Sequence, residues 1–154
     1  MGNDSHSLIN ALDVISSLGL PLPSKPIDYH LDWPKNVADL DMDKLSEHMT
    51  YWTGLASYAR HFLSKAEVNL SAYKVKLDVE MVNGIYKSNG DYKTMTETKA
   101  AIAQSRDIVD LKLRIERQKA LVVTLGALLK GYEEKFATIS REISRRGIDY
   151  DGSR

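Results

Sequence analysis

From Ile108 to Ile143 an apolar residue returns by alternate steps of three and four. The series is Ile108, Leu111, Ile115, Gln118, Val122, Leu125, Leu129, Tyr132, Phe136, Ile139 and Ile143, with Gln118 its only polar member. Over about five heptads this spacing lays an unbroken apolar seam along one side of an α-helix, whereas a half-buried strand needs a period of two. The seam has to be covered, and the chain carries a second one. Leu45, Met49, Trp52, Ala56, Ala59, Leu63, Ala66, Leu70, Tyr73 and Leu77 follow the same alternation, continued less well by Glu80 and Gly84. No proline follows Pro34, so nothing breaks either helix. The spacing predicts an all-α fold, a long antiparallel helical hairpin or coiled coil, with helix one near 43–87 and helix two near 104–146. At about 1.5 Å per residue each helix would run about 60 Å.

Local signals mark the ends. Asp41 or Asp43 is an expected N-cap for helix one. The Asn-Gly pair of "KSNGDY" (Lys87–Tyr92) predicts a break, after which Thr94 or Thr96 caps a short helix containing Glu97 and Lys99. Gly147 is the expected end of helix two. All four prolines fall between Pro21 and Pro34, so "LPLPSKPIDYHLDWPKN" reads as an extended linker. Ahead of it, Ser5 or Ser7 caps a short amphipathic helix with Leu8, Ile9, Leu12 and Ile15 on one face and Gly19 as its stop. The expected division is an acidic, proline-rich N-terminal arm over 1–40, a helical hairpin over 41–147 and a flexible tail over 148–154.

In "ALVVTLGALL" the apolar residues leave the seam. Leu121, Val123 and Leu128 point sideways or outward, and Gly126 and Gly131 allow backbones to approach closely. A helix that is apolar nearly all round is expected to be buried nearly all round. A two-helix hairpin cannot cover that much surface, so self-association through the middle of helix two is expected. Folding back of the N-terminal helix over the same patch is the alternative, and the two are compatible.

Charge narrows the function classes. Lys plus Arg and Asp plus Glu both number 21, giving no net charge. The balance is uneven along the chain: residues 1–50 hold eight acidic and three basic groups, and residues 101–154 hold eight and eleven. The absence of cysteine excludes disulfides, thiolate zinc sites and cysteine nucleophiles, and fits a reducing cytoplasm. No apolar run approaches the roughly 18 residues of a membrane span, and the N-terminus lacks the basic and apolar regions of a signal peptide. The histidines (His6, His30, His48, His61) are scattered and read as solvent-facing or interface residues rather than metal ligands. No catalytic constellation, phosphate loop, cofactor or metal motif stands out, so no enzyme is expected.

The basic residues carry the candidate chemistry. Helix one bears Arg60, Lys65, Lys74, Lys76 and Lys87, and Tyr51, Tyr58, Lys65 and Tyr86 share one heptad position as an outer stripe. Aromatic rings for base stacking, interleaved with cations for phosphates, are what single-stranded nucleic acid requires. A solvated helix face of the same composition is the plainer alternative. Helix two has Lys112, Arg114, Arg117 and Lys119 near its start, and Arg141, Arg145 and Arg146 near its end. The helix macrodipole accounts for one or two of the last three. The surplus is expected to face phosphate or the acidic arm of a neighbouring copy, with Arg141 and Arg145 as subunit contacts.

The order of features resembles the UvsY-type recombination mediators of tailed phages. "KVKLD" (Lys74–Asp78) is similar to that family's Lys-x-Arg-Leu-Asp motif, with Lys76 in place of arginine. "IYKSNGD" (Ile85–Asp91) resembles its Gly-containing break, "AIAQSRDIVDLKLRIERQKALV" the start of its long helix, and "ISRRG" (Ile143–Gly147) the basic end. The likeness spans roughly residues 45–147, and the proline-rich arm has no counterpart. It implies a ring-forming homo-oligomer that binds single-stranded DNA through Lys74 and Lys76. It also implies partnership with a recombinase and a single-strand binding protein. A structural or assembly adaptor built on the coiled coil, without nucleic acid, is the competing expectation.

Overall fold

Asp41 starts the first long helix. Its carboxylate accepts a hydrogen bond from the Lys44 backbone N–H at 2.8 Å, and its carbonyl accepts from the Leu45 N–H at 3.0 Å. Helix α1 then runs over Met42–Ser88, 47 residues with no proline. Thr94 opens α2 (Met95–Ala103) with a full capping box: its hydroxyl accepts from the Glu97 N–H while Glu97 accepts from the Thr94 N–H. Only Gln104 and Ser105 separate α2 from α3, which runs over Arg106–Asp151. A 3₁₀ turn, Val37–Asp39, precedes α1 and is capped by the Asn36 side chain. The computed structural model describes residues 17–19, 22–25, 29–88 and 94–151, and no strand occurs among them. The N-terminal helix read around Leu8–Ile15, the Asn89-Gly90 turn and the end of the tail lie outside the described residues. Gly19 takes a φ of 67°, the left-handed conformation of a helix-ending glycine. No described helix is long and apolar enough to cross a membrane.

Both seams are covered by each other, since α1 and α3 pack extensively. The chain's contacts divide into two units, one comprising Leu63–Val123, the other the described residues up to Phe62 together with Thr124 onward. In the first, Ala66, Ile108, Leu111 and Ile115 are buried. Gln118, the polar member of the second seam, donates from Nε2 to the Ala66 carbonyl at 3.1 Å, so its amide is satisfied inside the pairing. Further along, α2 presses on α1 at Gly84, where an added Cβ would meet Ile102 Cγ2 at 2.8 Å. Partner numbers fall from 118 to 102 as α1 advances from 66 to 84, which is antiparallel packing.

The other unit holds a denser core. Leu45 and Ile139 are fully enclosed, with Tyr51 and Trp52 buried beside them. Trp52 meets Tyr51, Trp33 and Tyr132 at centroid distances of 5.0, 5.9 and 6.0 Å, and Tyr29 stacks on Tyr51 at 5.7 Å. Lys135 Nζ sits 3.8 Å above the Trp52 ring, a close cation–π contact. The Trp52 indole N–H donates to His48 Nδ1 at 3.3 Å, and burial pushes the His48 pKa below its ordinary 6.5 against the opposing pull of Glu47. The non-helical segment ahead of α1, which contains Pro34, is part of this core: Leu31, Val37 and Leu40 pack on it, and the Tyr29 hydroxyl donates to Glu47.

Three expectations need correction. Tyr51 is not on an outer stripe; the segment carrying Tyr29 covers that flank of α1 and buries it. Gly147 does not end α3, which continues to Asp151. A glycine inside a helix costs only about 1 kcal/mol, too little to stop one that neighbours support. His48 is buried rather than solvent-facing, because its ring nitrogen serves as the acceptor for Trp52.

Candidate nucleic-acid interface

The periodicity of α1 sorts the candidate cations. Lys65, Lys76 and Lys87 are eleven residues apart, which is three turns of helix plus about 20°, so they form one slowly drifting row with steps of about 16 Å. All three are exposed, and among the described residues none enters an ion pair. Lys74 is exposed and equally unpaired, but it lies two positions from Lys76 and so about 160° round the helix. All four belong to the unit of Leu63–Val123.

Beside Lys76 lies a hollow of about 310 Å³ lined by Tyr73, Glu80, Asp107, Asp110, Leu111 and Arg114. Arg114 Nε donates to Asp110 at 2.8 Å, and that hydrogen bond holds the guanidinium even more firmly charged. With three carboxylates against Lys76 and Arg114, this flank repels a phosphate. Glu80 stands one turn beyond Lys76 in the direction of Lys87, so the attractive side of Lys76 is the one turned toward Lys65.

The remaining candidates fall in the other unit. Arg60 is paired with Glu133, and the two line a hollow with Phe136. Tyr58 is half-buried and meets Phe62 edge-on at 4.8 Å. The structure therefore brings Lys65, Lys76 and Lys87 into one row, sets Lys74 on the opposite side, and gives Arg60 a carboxylate of its own.

Of the C-terminal arginines only Arg146 turns inward. Arg145 and Arg146 both bind Glu142, at 2.8 and 2.7 Å, and those hydrogen bonds lower the Glu142 carboxyl from 4.5 to about 2. Arg146 also donates from Nη1 to the Leu40 carbonyl at 2.7 Å and from Nη2 to the Ala38 carbonyl at 2.8 Å. It fastens the turn ahead of α1 to α3. The macrodipole account fails for this cluster, because α3 continues past it to Asp151 and the dipole's effect is confined to the last turn. Arg141 is exposed, with no ion pair among the described residues.

Leu121, Val123 and Leu128, read as association residues, are exposed at 45%, 72% and 46%. An added Cβ at Gly126 or Gly131 would meet nothing within 4 Å. Sequence reasoning missed two features of the core, the placement of Lys135 over Trp52 and the His48–Trp52 bond; the i, i+4 spacing of the latter pair was a readable signal. No protein-family model, no curated protein and no solved structure matches this chain.

Proposed function

We propose that this chain is a non-enzymatic, self-associating helical protein of the cytoplasm, or of the host cytoplasm if phage-encoded. In this reading it binds single-stranded DNA and assists a recombinase to load in exchange for a single-strand binding protein. The observation that carries it is the row Lys65–Lys76–Lys87: three exposed, unpaired cations repeating along one line of one helix. A flexible polyanion follows such a row, and each phosphate neutralised releases counterions. Self-association would multiply the row, which a chain of zero net charge needs in order to hold a strand.

The test is fluorescence anisotropy of a labelled oligothymidylate over a salt series. Binding should weaken steeply as salt rises, and each of Lys65→Ala, Lys76→Ala and Lys87→Ala should flatten the log–log slope by about 0.7. Lys74→Ala separates the two sources of the proposal. The resemblance assigns it a DNA contact, whereas its place opposite the row assigns it none. Absence of binding by the unaltered chain at low salt would overturn the DNA reading. The surviving reading would be an assembly adaptor without nucleic acid, which the exposed apolar side chains of α1 and α3 favour.

A further inference from the structure

Helix α1 carries a second apolar seam, distinct from the one that meets α3. Val68, Ala72, Val75, Val79, Val82 and Tyr86 alternate by four and three residues without a gap. Val75 lies two positions from both Tyr73 and Leu77 of the covered seam, so it points about 160° away from each. The seam is open in the single chain: Val79 and Val82 are 50% exposed, Val68 and Val75 more so, and Tyr86 78%. Four valines and a tyrosine at heptad spacing are a coiled-coil surface lacking its partner.

We infer that this seam pairs two copies of the chain, α1 against α1, in parallel and in register. The inference deepens the self-association assumed above by naming its face. Length selects the occupant. Val68 to Tyr86 spans about 27 Å, and the partner must present apolar groups at the same repeat over that distance. The chain's own Leu8–Leu18 stretch is eleven residues long against the nineteen of Val68–Tyr86, so it would cover little more than half of the seam. A second α1 matches throughout.

Charge selects the orientation. Lys76 and Asp78 stand at the two positions flanking the seam, one on each side. In parallel pairing each flank holds the Asp78 of one copy and the Lys76 of the other, two residues apart in height, so in the pair Lys65 and Lys87 are the members of the lysine row left without a carboxylate opposite. Antiparallel pairing puts Lys76 beside Lys76 on one flank and Asp78 beside Asp78 on the other. A free peptide of under three heptads would not pair, because it must first form its helix. Here α3 already holds α1 helical, so that cost is met before the copies meet.

Sedimentation velocity of the full chain across a concentration series, with Val75→Glu/Val79→Glu alongside, tests the inference. The unaltered chain should form dimers or larger species. The double variant should keep its helical circular dichroism and weaken assembly by about 100-fold or more, since it buries charges without partners. Orientation is read with Val75→Cys, in a chain that has no other cysteine. Parallel pairing places the two thiols face to face, so mild oxidation should yield a covalent dimer. A single chain at every concentration would overturn both the inference and the self-association in the proposed function. Assembly unchanged by Val75→Glu/Val79→Glu would overturn the inference alone, and abundant dimer with no cross-link at residue 75 would overturn its parallel register.

Discussion

Replacing Gly84 by alanine sets two known effects against each other at one position. The new methyl would lie 2.8 Å from Ile102 Cγ2 and 3.2 Å from its Cγ1 and Cδ1. Carbon atoms in ordinary contact keep about 3.5–4.0 Å, so either Ile102 or the whole of α2 must withdraw. Ile102 is β-branched and stiff at χ1, so α2 has to move. Overpacking of this kind costs about 1–3 kcal/mol. The same change removes a glycine from a helix interior, which by itself stabilises by about 1 kcal/mol. The net expectation is a loss of about 0–2 kcal/mol. Gly126→Ala and Gly131→Ala are internal controls, because no atom lies within 4 Å of the added methyl at either position. Each should gain about 0.5–1 kcal/mol. Urea unfolding followed by circular dichroism, on dilute samples of all three, reads the difference. A Gly84→Ala variant as stabilised as Gly131→Ala would refute the seating of α2 on α1. Repeating the series at high concentration asks a second question. If copies approach closely at Gly126 or Gly131, the gain there should turn into a loss.

The core around Trp52 should be the most sensitive region to truncation: Leu45→Ala or Ile139→Ala, each removing a fully enclosed side chain, should cost about 2–5 kcal/mol in urea titrations. His48 is held neutral in the fold, so between its unfolded value of 6.5 and its lower folded value the unfolded chain binds more protons. Its contribution is present above pH 6.5 and lost as the pH falls through the folded value; His48→Gln should remove that part of the acid sensitivity of melting followed by tryptophan fluorescence. Glu142 acts lower on the scale, its contribution being present above about 4.5 and lost as the pH falls toward about 2. Arg145→Ala should raise the Glu142 carboxyl pKa in a carbon-detected NMR titration, and Arg146→Ala should raise it while also releasing the carbonyls of Ala38 and Leu40.

The helices were legible because their causes are local. Apolar spacing of three and four defines a helix face without knowledge of what covers it, and caps act within a turn. The caps could therefore be narrowed to two candidates each, Asp41 or Asp43 and Thr94 or Thr96, of which the structure uses Asp41 and Thr94, and the expected 43–87 became Met42–Ser88. The lysine row needed only the same local geometry, since 3.6 residues per turn fixes where Lys65, Lys76 and Lys87 stand relative to Lys74, although heptad position and motif group Lys65 with the tyrosines and Lys76 with Lys74 instead. What needed the tertiary structure was every property set by a distant partner. Tyr51 looks exposed along α1 and is buried by Tyr29. Arg60 and Arg146 look free and are bound, to Glu133 and to the carbonyls of Ala38 and Leu40, 73 and more than 100 residues away. A side chain's direction from its own helix follows from backbone geometry, but its availability depends on what long-range packing brings beside it, and no local period encodes that.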